Sequence, residues 1–200
     1  MSLTLPLNHE AFGVAAAILS GVAGLTYIQS ILAGRSRPSR VTWWVLGFLN
    51  GAIAASYFVS GARSTVWLPL EFSASFILIG FLSARYGEGG WSRIDAGCFV
   101  GAIAALGAWW LFRSADLGLA LLVTVDALAL APTIAKAWQR PWTEDRLAWM
   151  VGTGASVLNV LAVDQWTLSV AAYPLYVLVS NLLILLFLLR PMPEMLRNAV

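Results

Sequence analysis

Gln29-Ser-Ile-Leu-Ala-Gly-Arg-Ser-Arg37-Pro38 closes one long apolar run of the chain, and Pro132-Thr-Ile-Ala-Lys-Ala-Trp-Gln-Arg140-Pro141 closes another. At an offset of 103, Ile31 falls on Ile134, Arg37 on Arg140 and Pro38 on Pro141. After three inserted residues Trp43 falls on Trp149 and Val45 on Val151. At an offset of 105, Pro69 falls on Pro174, Ser75 on Ser180 and Arg85 on Arg190. The matches keep their order through three successive apolar runs in each copy. They read as two copies of one three-helix unit.

Composition says what solvent surrounds that unit. The 200 residues are 60% apolar and 11% charged, with a mean hydropathy of +0.79. A water-soluble domain carries about 25% charge. Less than half of that cannot clothe a soluble surface, so soluble globular and disordered classes are excluded. One cysteine, Cys98, excludes an internal disulfide and a cysteine metal cluster. The single histidine, His9, precedes the first apolar run and reads as a solvated terminal residue. A net charge of +2 gives no basic surface for nucleic acid.

A helix needs about 20 predominantly apolar residues to cross the hydrocarbon. Seven segments qualify: 12–33, 41–61, 65–85, 94–113, 116–137, 146–164 and 167–189. Barrel strands need only about 10 residues and must alternate, which these runs do not. No Lys or Arg occurs in the first 34 residues, so the first run reads as a mature span rather than a secretory signal. Ten of the twelve cations lie on one side: Arg35, Arg37 and Arg40, then Arg85 and Arg93, then Lys136, Arg140 and Arg146, then Arg190 and Arg197. Arg63 and Arg113 lie on the other. The positive-inside rule makes the ten-cation side cytoplasmic and puts the N-terminus outside.

The expected architecture is therefore all-α and integral to the membrane, with seven transmembrane helices in a 3+1+3 arrangement of parallel triple-helix repeats. Residues 1–11 form an outside N-terminal segment, 12–85 the first repeat, 94–113 a linker helix, 116–190 the second repeat and 191–200 a cytoplasmic tail. Parallel repeats are related by an axis along the membrane normal, and solutes bind near the midplane between the halves. A fused duplication that only packs is the plainer alternative.

Depth selects candidate residues. Asn50 is nine residues from Val41, Asn181 nine from Arg190, Asp126 ten from Lys136 and Ser156 ten from Arg146. Each lies roughly 14–15 Å from the basic boundary, at the midplane. Asn50 and Ser156 occupy equivalent repeat positions. These four, with Tyr176 as an aromatic that can stack on a solute, form the expected solute site. Interhelical hydrogen bonding alone is the competing reading for any one of them.

Asp126 and Glu71 are the carboxylates well inside spans. An ionisable group there faces the bundle interior or water and is a functional candidate by default. Asp126 is expected to be neutral when dry and ionised when water reaches it, and so to couple to helix movement. Glu71 lies nearer the outer third, where it can snorkel outward or take part in coupling. Pro69, Pro132 and Pro174 are read as interrupting helices, with Pro132 as a hinge beside Asp126. Tyr27 and Tyr57 are further stacking candidates. Trp43, Trp44, Trp91, Trp138, Trp142 and Trp149 at one interface, and Trp67, Trp109, Trp110 and Trp166 at the other, read as aromatic belts. Gly47-Phe-Leu-Asn-Gly51 and Gly97-Cys-Phe-Val-Gly101 fit a GxxxG helix-packing pattern.

Three helices, a linker helix and three more, with the N-terminus outside, resemble the SWEET and PQ-loop superfamily of small-solute carriers. Those repeats place a Pro-Gln pair near the cytoplasmic end of the first helix, followed by a short basic loop. Here Gln29 and Pro132 stand at equivalent positions of the two copies, and Arg35 to Arg40 and Lys136 to Arg146 look like the loops. The resemblance implies a solute carrier working by alternating access, with Gln29 and Pro132 in gating. Asn181 matches one of the pore asparagines of sugar carriers, while its repeat partner is Phe76. Trp43, Trp44 and Trp149 stand at cytoplasmic helix ends rather than deep in the second helices, which points away from a sugar.

The expected function is a transporter or facilitator of a small polar or amphipathic solute. A membrane sensor or ligand-binding scaffold of the same fold is the alternative. A retinal photoreceptor would need a lysine deep in a span, and the sole lysine, Lys136, sits at a helix end. No His, Cys or carboxylate cluster has metal spacing and no nucleophile motif occurs, so no catalytic residue, metal or cofactor is expected. The expected partners are a small solute and the lipid bilayer of a bacterial inner membrane, with no nucleic acid; a homo-oligomer is left open.

Overall fold

The computed structural model describes residues 8–59, 61–90, 93–112 and 115–190. Segments 1–7 and 191–200, with Trp91, Arg113 and Arg197, lie outside the described residues, as do the side chains of Cys98 and Trp109. The helices are α1 (His9–Leu32), α2 (Thr42–Val59), α3 (Trp67–Tyr86), α4 (Arg93–Phe112), α5 (Ala115–Gln139), α6 (Arg146–Leu161) and α7 (Leu168–Leu188). A single 3-10 turn, Pro141–Thr143, precedes α6. Among the described residues the only extended pairing is an isolated bridge between Ser39 and Glu88.

Five of the helices are long and apolar enough to cross a membrane: α1, α2, α3, residues 117–139 of α5, and α7. Their outward faces carry large apolar side chains, such as Ile18 and Leu25 on α1, Phe81 on α3, and Val179 and Leu186 on α7. Soluble monomers rarely expose contiguous apolar patches on this scale. The chain is a helical membrane protein.

The helix ends follow local chemistry. α1 starts at His9, three residues before the expected span, because the Asn8 side chain accepts the Ala11 N–H at 3.1 Å. Asp145 caps α6 in the same way, accepting the Ala148 N–H at 2.9 Å. α5 runs unbroken through Pro132, and α7 through Pro174. Pro69 occupies the first turn of α3, where no helical hydrogen bond is lost, so it breaks nothing. Pro174 removes the partner of the Val170 carbonyl four residues earlier. The Tyr57 hydroxyl donates to that carbonyl at 2.9 Å, tying α2 to α7.

α1 packs on α3 and α6, and α2 packs on α3 and α5. α5 and α6 each pack on α7, and α4 lies against α5 with a smaller contact to α2. Exchanging α1, α2 and α3 with α5, α6 and α7 maps these contacts onto one another, with α4 left over. The basic loops gather on one face. Lys136 donates to the Arg37 carbonyl, Arg140 bonds Glu88 at 3.1 Å, and Arg190 donates to the Trp138 carbonyl at 2.6 Å.

Small residues set the closest approaches. Gly47 and Gly51 let α3 in: a Cβ on Gly47 would lie 2.8 Å from Ile77, and Ser73 donates to the Gly47 carbonyl at 2.9 Å. The second GxxxG pair behaves differently, for Gly101 meets Val125 of α5 while Gly97 faces open space. Gly13 is the tightest site, where a Cβ would stand 1.8 Å from the Ser64 carbonyl oxygen. Gly13→Ala must push α1 off the α2–α3 connection, and overpacking of this kind costs about 1–3 kcal/mol. Gly97→Ala should be neutral. Thermal melting of the two variants side by side checks this, and equal melting temperatures would remove Gly13 from the packing argument.

Candidate functional site

A cavity lies between the two sets of three helices, lined by segments of α1, α2, α3, α5, α6 and α7. The volume open to the centre of a water molecule is about 90 Å³. About 10–15 Å³ on that measure holds one water, so this space takes several waters or a small solute. Residues matched between the two halves of the sequence meet across it. Repeat-equivalent residues face it in pairs: Ala23 with Asp126, Tyr27 with Leu130, Trp43 with Trp149, Leu46 with Gly152, Phe72 with Val177, Ser75 with Ser180 and Phe76 with Asn181.

The polar wall is a closed hydrogen-bond network. Asn50 on α2 uses its amide nitrogen twice, donating to Asp126 Oδ1 on α5 at 2.9 Å and to its own Leu46 carbonyl at 2.9 Å. Its amide oxygen accepts from the Tyr173 hydroxyl on α7. Tyr176, one turn further along α7, donates to Asp126 Oδ2 at 2.7 Å. Asp126 is thus held by two neutral donors from helices of different triplets. Among the described residues no cationic side chain pairs with it.

Asn181 donates to Ser156 Oγ at 2.6 Å and to the Gly152 carbonyl at 3.4 Å. Ser156 donates to the same carbonyl at 2.9 Å and is fully buried behind Asn181. The structure therefore brings Asn50, Asp126, Tyr176 and Asn181 into the cavity wall and sets Ser156 one layer behind, positioning Asn181. Glu71 does not snorkel outward. It is half-buried between α1 and α3 and accepts from Ser20 and Ser75, both of which line the cavity. Gln29 is exposed and lines neither cavity. Its neighbour Ser30 points inward and bonds Ser36 at 2.9 Å.

Pro132 lines a second recess, on the basic face, with Ser39, Glu88, Lys136, Arg140 and Glu144. Trp43 borders both spaces. Between them lies a layer the sequence did not reveal. Tyr27 and Trp43 meet at 5.2 Å with their rings tilted, and Trp43 meets Phe76 edge-on at 5.0 Å. Glu144, almost wholly buried, accepts from Tyr27 at 3.0 Å and from Trp149 Nε1 at 3.2 Å. It also pairs with Lys136 at 3.0 Å. Lys136 reaches Glu88 at 3.7 Å and the Arg37 carbonyl. This layer joins both copies of the repeat on the basic side of the cavity. At the other end Tyr57 meets Tyr173 edge-on at 5.8 Å.

Trp43 and Trp149 were expected in the interfacial belt and instead wall the cavity. Their match at equivalent repeat positions was the available signal. Trp67, Trp110, Trp138, Trp142 and Trp166 are exposed near helix ends, as a belt requires.

These features define a class: a helical membrane protein whose interior holds a cavity walled by aromatic rings and a hydrogen-bonded carboxyl group. Comparison with protein-family models, curated proteins and solved structures finds no significant match.

Proposed function

We propose that the chain is a transporter or facilitator of a small polar or amphipathic solute. It binds that solute between two parallel three-helix halves and works by alternating access. In this reading α1–α3 and α5–α7 are the halves, α4 joins them, the N-terminus is outside, the basic face is cytoplasmic, and the protein resides in a bacterial inner membrane. The observation that carries the reading is the pairing of repeat-equivalent residues around one cavity. Twofold packing alone sets equivalent positions across a shared axis, but it would fill the space between them; here that space stays open and carries a polar wall. The exchange symmetry of the helix contacts supports it, as does the resemblance to SWEET and PQ-loop carriers.

The test begins with a melting-temperature screen of the purified chain against sugars, amino acids, nucleosides and vitamins. The best stabiliser is then used in counterflow into proteoliposomes. Asn181→Ala removes one cavity hydrogen bond, worth about 0.5–1.5 kcal/mol, so solute affinity should fall roughly two- to tenfold. The protein should still fold, because Ser156 keeps its bond to Gly152. Binding without counterflow would replace transport by the sensor or scaffold reading. Unchanged affinity in Asn181→Ala would take that residue out of the site.

A further inference from the structure

The cavity has a chemical bias that its outline alone does not reveal. The side-chain donors of Asn50, Tyr173, Tyr176 and Asn181 are all directed at protein acceptors. The acceptors are not all used. Each oxygen of a carboxylate can accept about two hydrogen bonds, and each Asp126 oxygen accepts one from the protein. The amide oxygen of Asn181 accepts none among the described residues, although it borders the same space. Apart from the neutral indole N–H of Trp43 and the Ser180 hydroxyl, a solute rich in acceptors, such as a carboxylate or phosphate, meets no unengaged donor in this wall.

Charge points the same way. No Lys, Arg or His lines the cavity. A buried carboxylate held only by neutral donors is costly, and a positive charge beside it relieves that cost. Aromatic rings, with aliphatic and small residues between them, make up much of the rest of the wall. Tyr27, Trp43, Phe76 and Phe72 form a chain of contacting rings, with Phe72 and Phe76 stacked at 4.8 Å. Ring faces attract cations of low hydration, most strongly where water is excluded. A hydrated inorganic ion gains little from such a lining.

We propose that the solute of this cavity is an organic cation, its positive centre at Asp126 and its apolar part against the rings of Trp43, Phe72 and Phe76. The proposal rests on the reading of the cavity as a solute site and names the class of solute. It does not depend on whether the bound molecule is carried across the membrane.

The test compares choline with 3,3-dimethylbutan-1-ol, which has the same shape with a neutral carbon in place of nitrogen. Phenyltrimethylammonium serves as an aromatic cation and benzoate as an anion of similar size. Binding to the full chain in detergent is read from tryptophan fluorescence and melting temperature, since Trp43 and Trp149 stand in the wall. Phenyltrimethylammonium should bind most tightly, and choline roughly tenfold or more tighter than its neutral isostere. Benzoate should not bind. Asp126→Asn should erase the preference for charge. Tyr176→Phe leaves the carboxylate with one donor fewer and should keep or strengthen it, which a merely structural network would not do.

Neutral isostere or benzoate binding as well as the cations would overturn the proposal, as would a charge preference that survives in Asp126→Asn. Stabilisation by sodium chloride alone to the same extent would assign the site to an inorganic ion and also overturn it. If Asp126→Asn fails to fold, the wild-type pair and Tyr176→Phe decide. Cation binding without counterflow in proteoliposomes would leave the solute class standing and defeat transport. Counterflow of a neutral solute without cation binding would do the reverse.

Discussion

Glu144→Ala should lower the melting temperature by roughly 6–20 °C and, in the proposed transport reading, abolish solute flux. The Glu144 side chain is 2% exposed and its partner Lys136 10%, with 3.0 Å between the charged atoms. Removing one member of a buried pair costs about 3–5 kcal/mol, because the other charge stays behind, here with only the more distant Glu88, at 3.7 Å, as counter-charge. For a chain of this size each kcal/mol is worth about 2–4 °C. The neighbouring pair of Arg140 with Glu88 has a similar distance, 3.1 Å, but its side chains are 49% and 30% exposed. Exposed pairs contribute about 0–1 kcal/mol, so Arg140→Ala should move the melting temperature far less. The functional loss has a separate cause: Glu144 also holds Tyr27 and Trp149, from both repeats, in the layer under the cavity. Glu144→Leu combined with Lys136→Met removes both charges and should recover much of the stability. Flux should stay impaired, since Tyr27 and Trp149 remain untethered. A single Glu144→Ala variant that melts with the wild type would show that water already screens this pair.

The same residues show how far sequence reasoning reaches in a membrane protein. Seven helices lie within a few residues of the expected segments, and five of them are long and apolar enough to span, because lipid demands a long apolar run; α6, at 16 residues, is shorter than a span needs. Depth was legible too. Asn50, Asp126, Asn181 and Ser156 were assigned one level from the rise per residue, and hydrogen bonds now join Asn50 to Asp126 and Asn181 to Ser156. Rotation about the helix axis was not legible. In water an amphipathic period marks the buried face. In lipid the outer face is as apolar as the inner one, so that signal fades. Gln29 and Ser30 are adjacent in sequence, yet one points out and the other in. Ser156 shares the depth of Asn181 but lies behind it. Trp43 and Trp149 sit at interfacial depth, where a tryptophan ordinarily faces headgroups, and only their repeat equivalence set them apart. Glu144 was overlooked because it lies in a connection read for its cations. Burial of that connection depends on three other segments reaching it, which local pattern cannot convey.

Asn50→Leu should cost about 2–6 kcal/mol, more than the loss of its hydrogen bonds would suggest. Interhelical hydrogen bonds in membranes are worth about 0.6 kcal/mol on average, because the separated helices find other partners. That average covers losses in which the remaining partner can turn elsewhere. Here the substitution strands two groups: the Tyr173 hydroxyl, whose residue is fully buried, and Oδ1 of Asp126, which is 5% exposed. Each orphaned buried group costs about 1–3 kcal/mol. The Leu46 carbonyl loses little, since it is one of the backbone acceptors within α2. Leucine keeps the branched four-atom outline of asparagine, with methyl groups in place of the oxygen and nitrogen, so packing contributes less than polarity. The Tyr173 share can be isolated by a double-mutant cycle. If its stranded hydroxyl is the cause, Tyr173→Phe should cost less in the Asn50→Leu background than in the wild type, with a coupling of about 0.5–3 kcal/mol. The Asp126 share should persist in that double variant and disappear only when Asp126 is also replaced by leucine. A cycle with no coupling, measured by thermal or denaturant unfolding in detergent, would mean that water reaches Tyr173 from the cavity and replaces Asn50. The network would then be a wetted wall, and Asn50→Leu would act on solute binding while leaving the fold as stable as before.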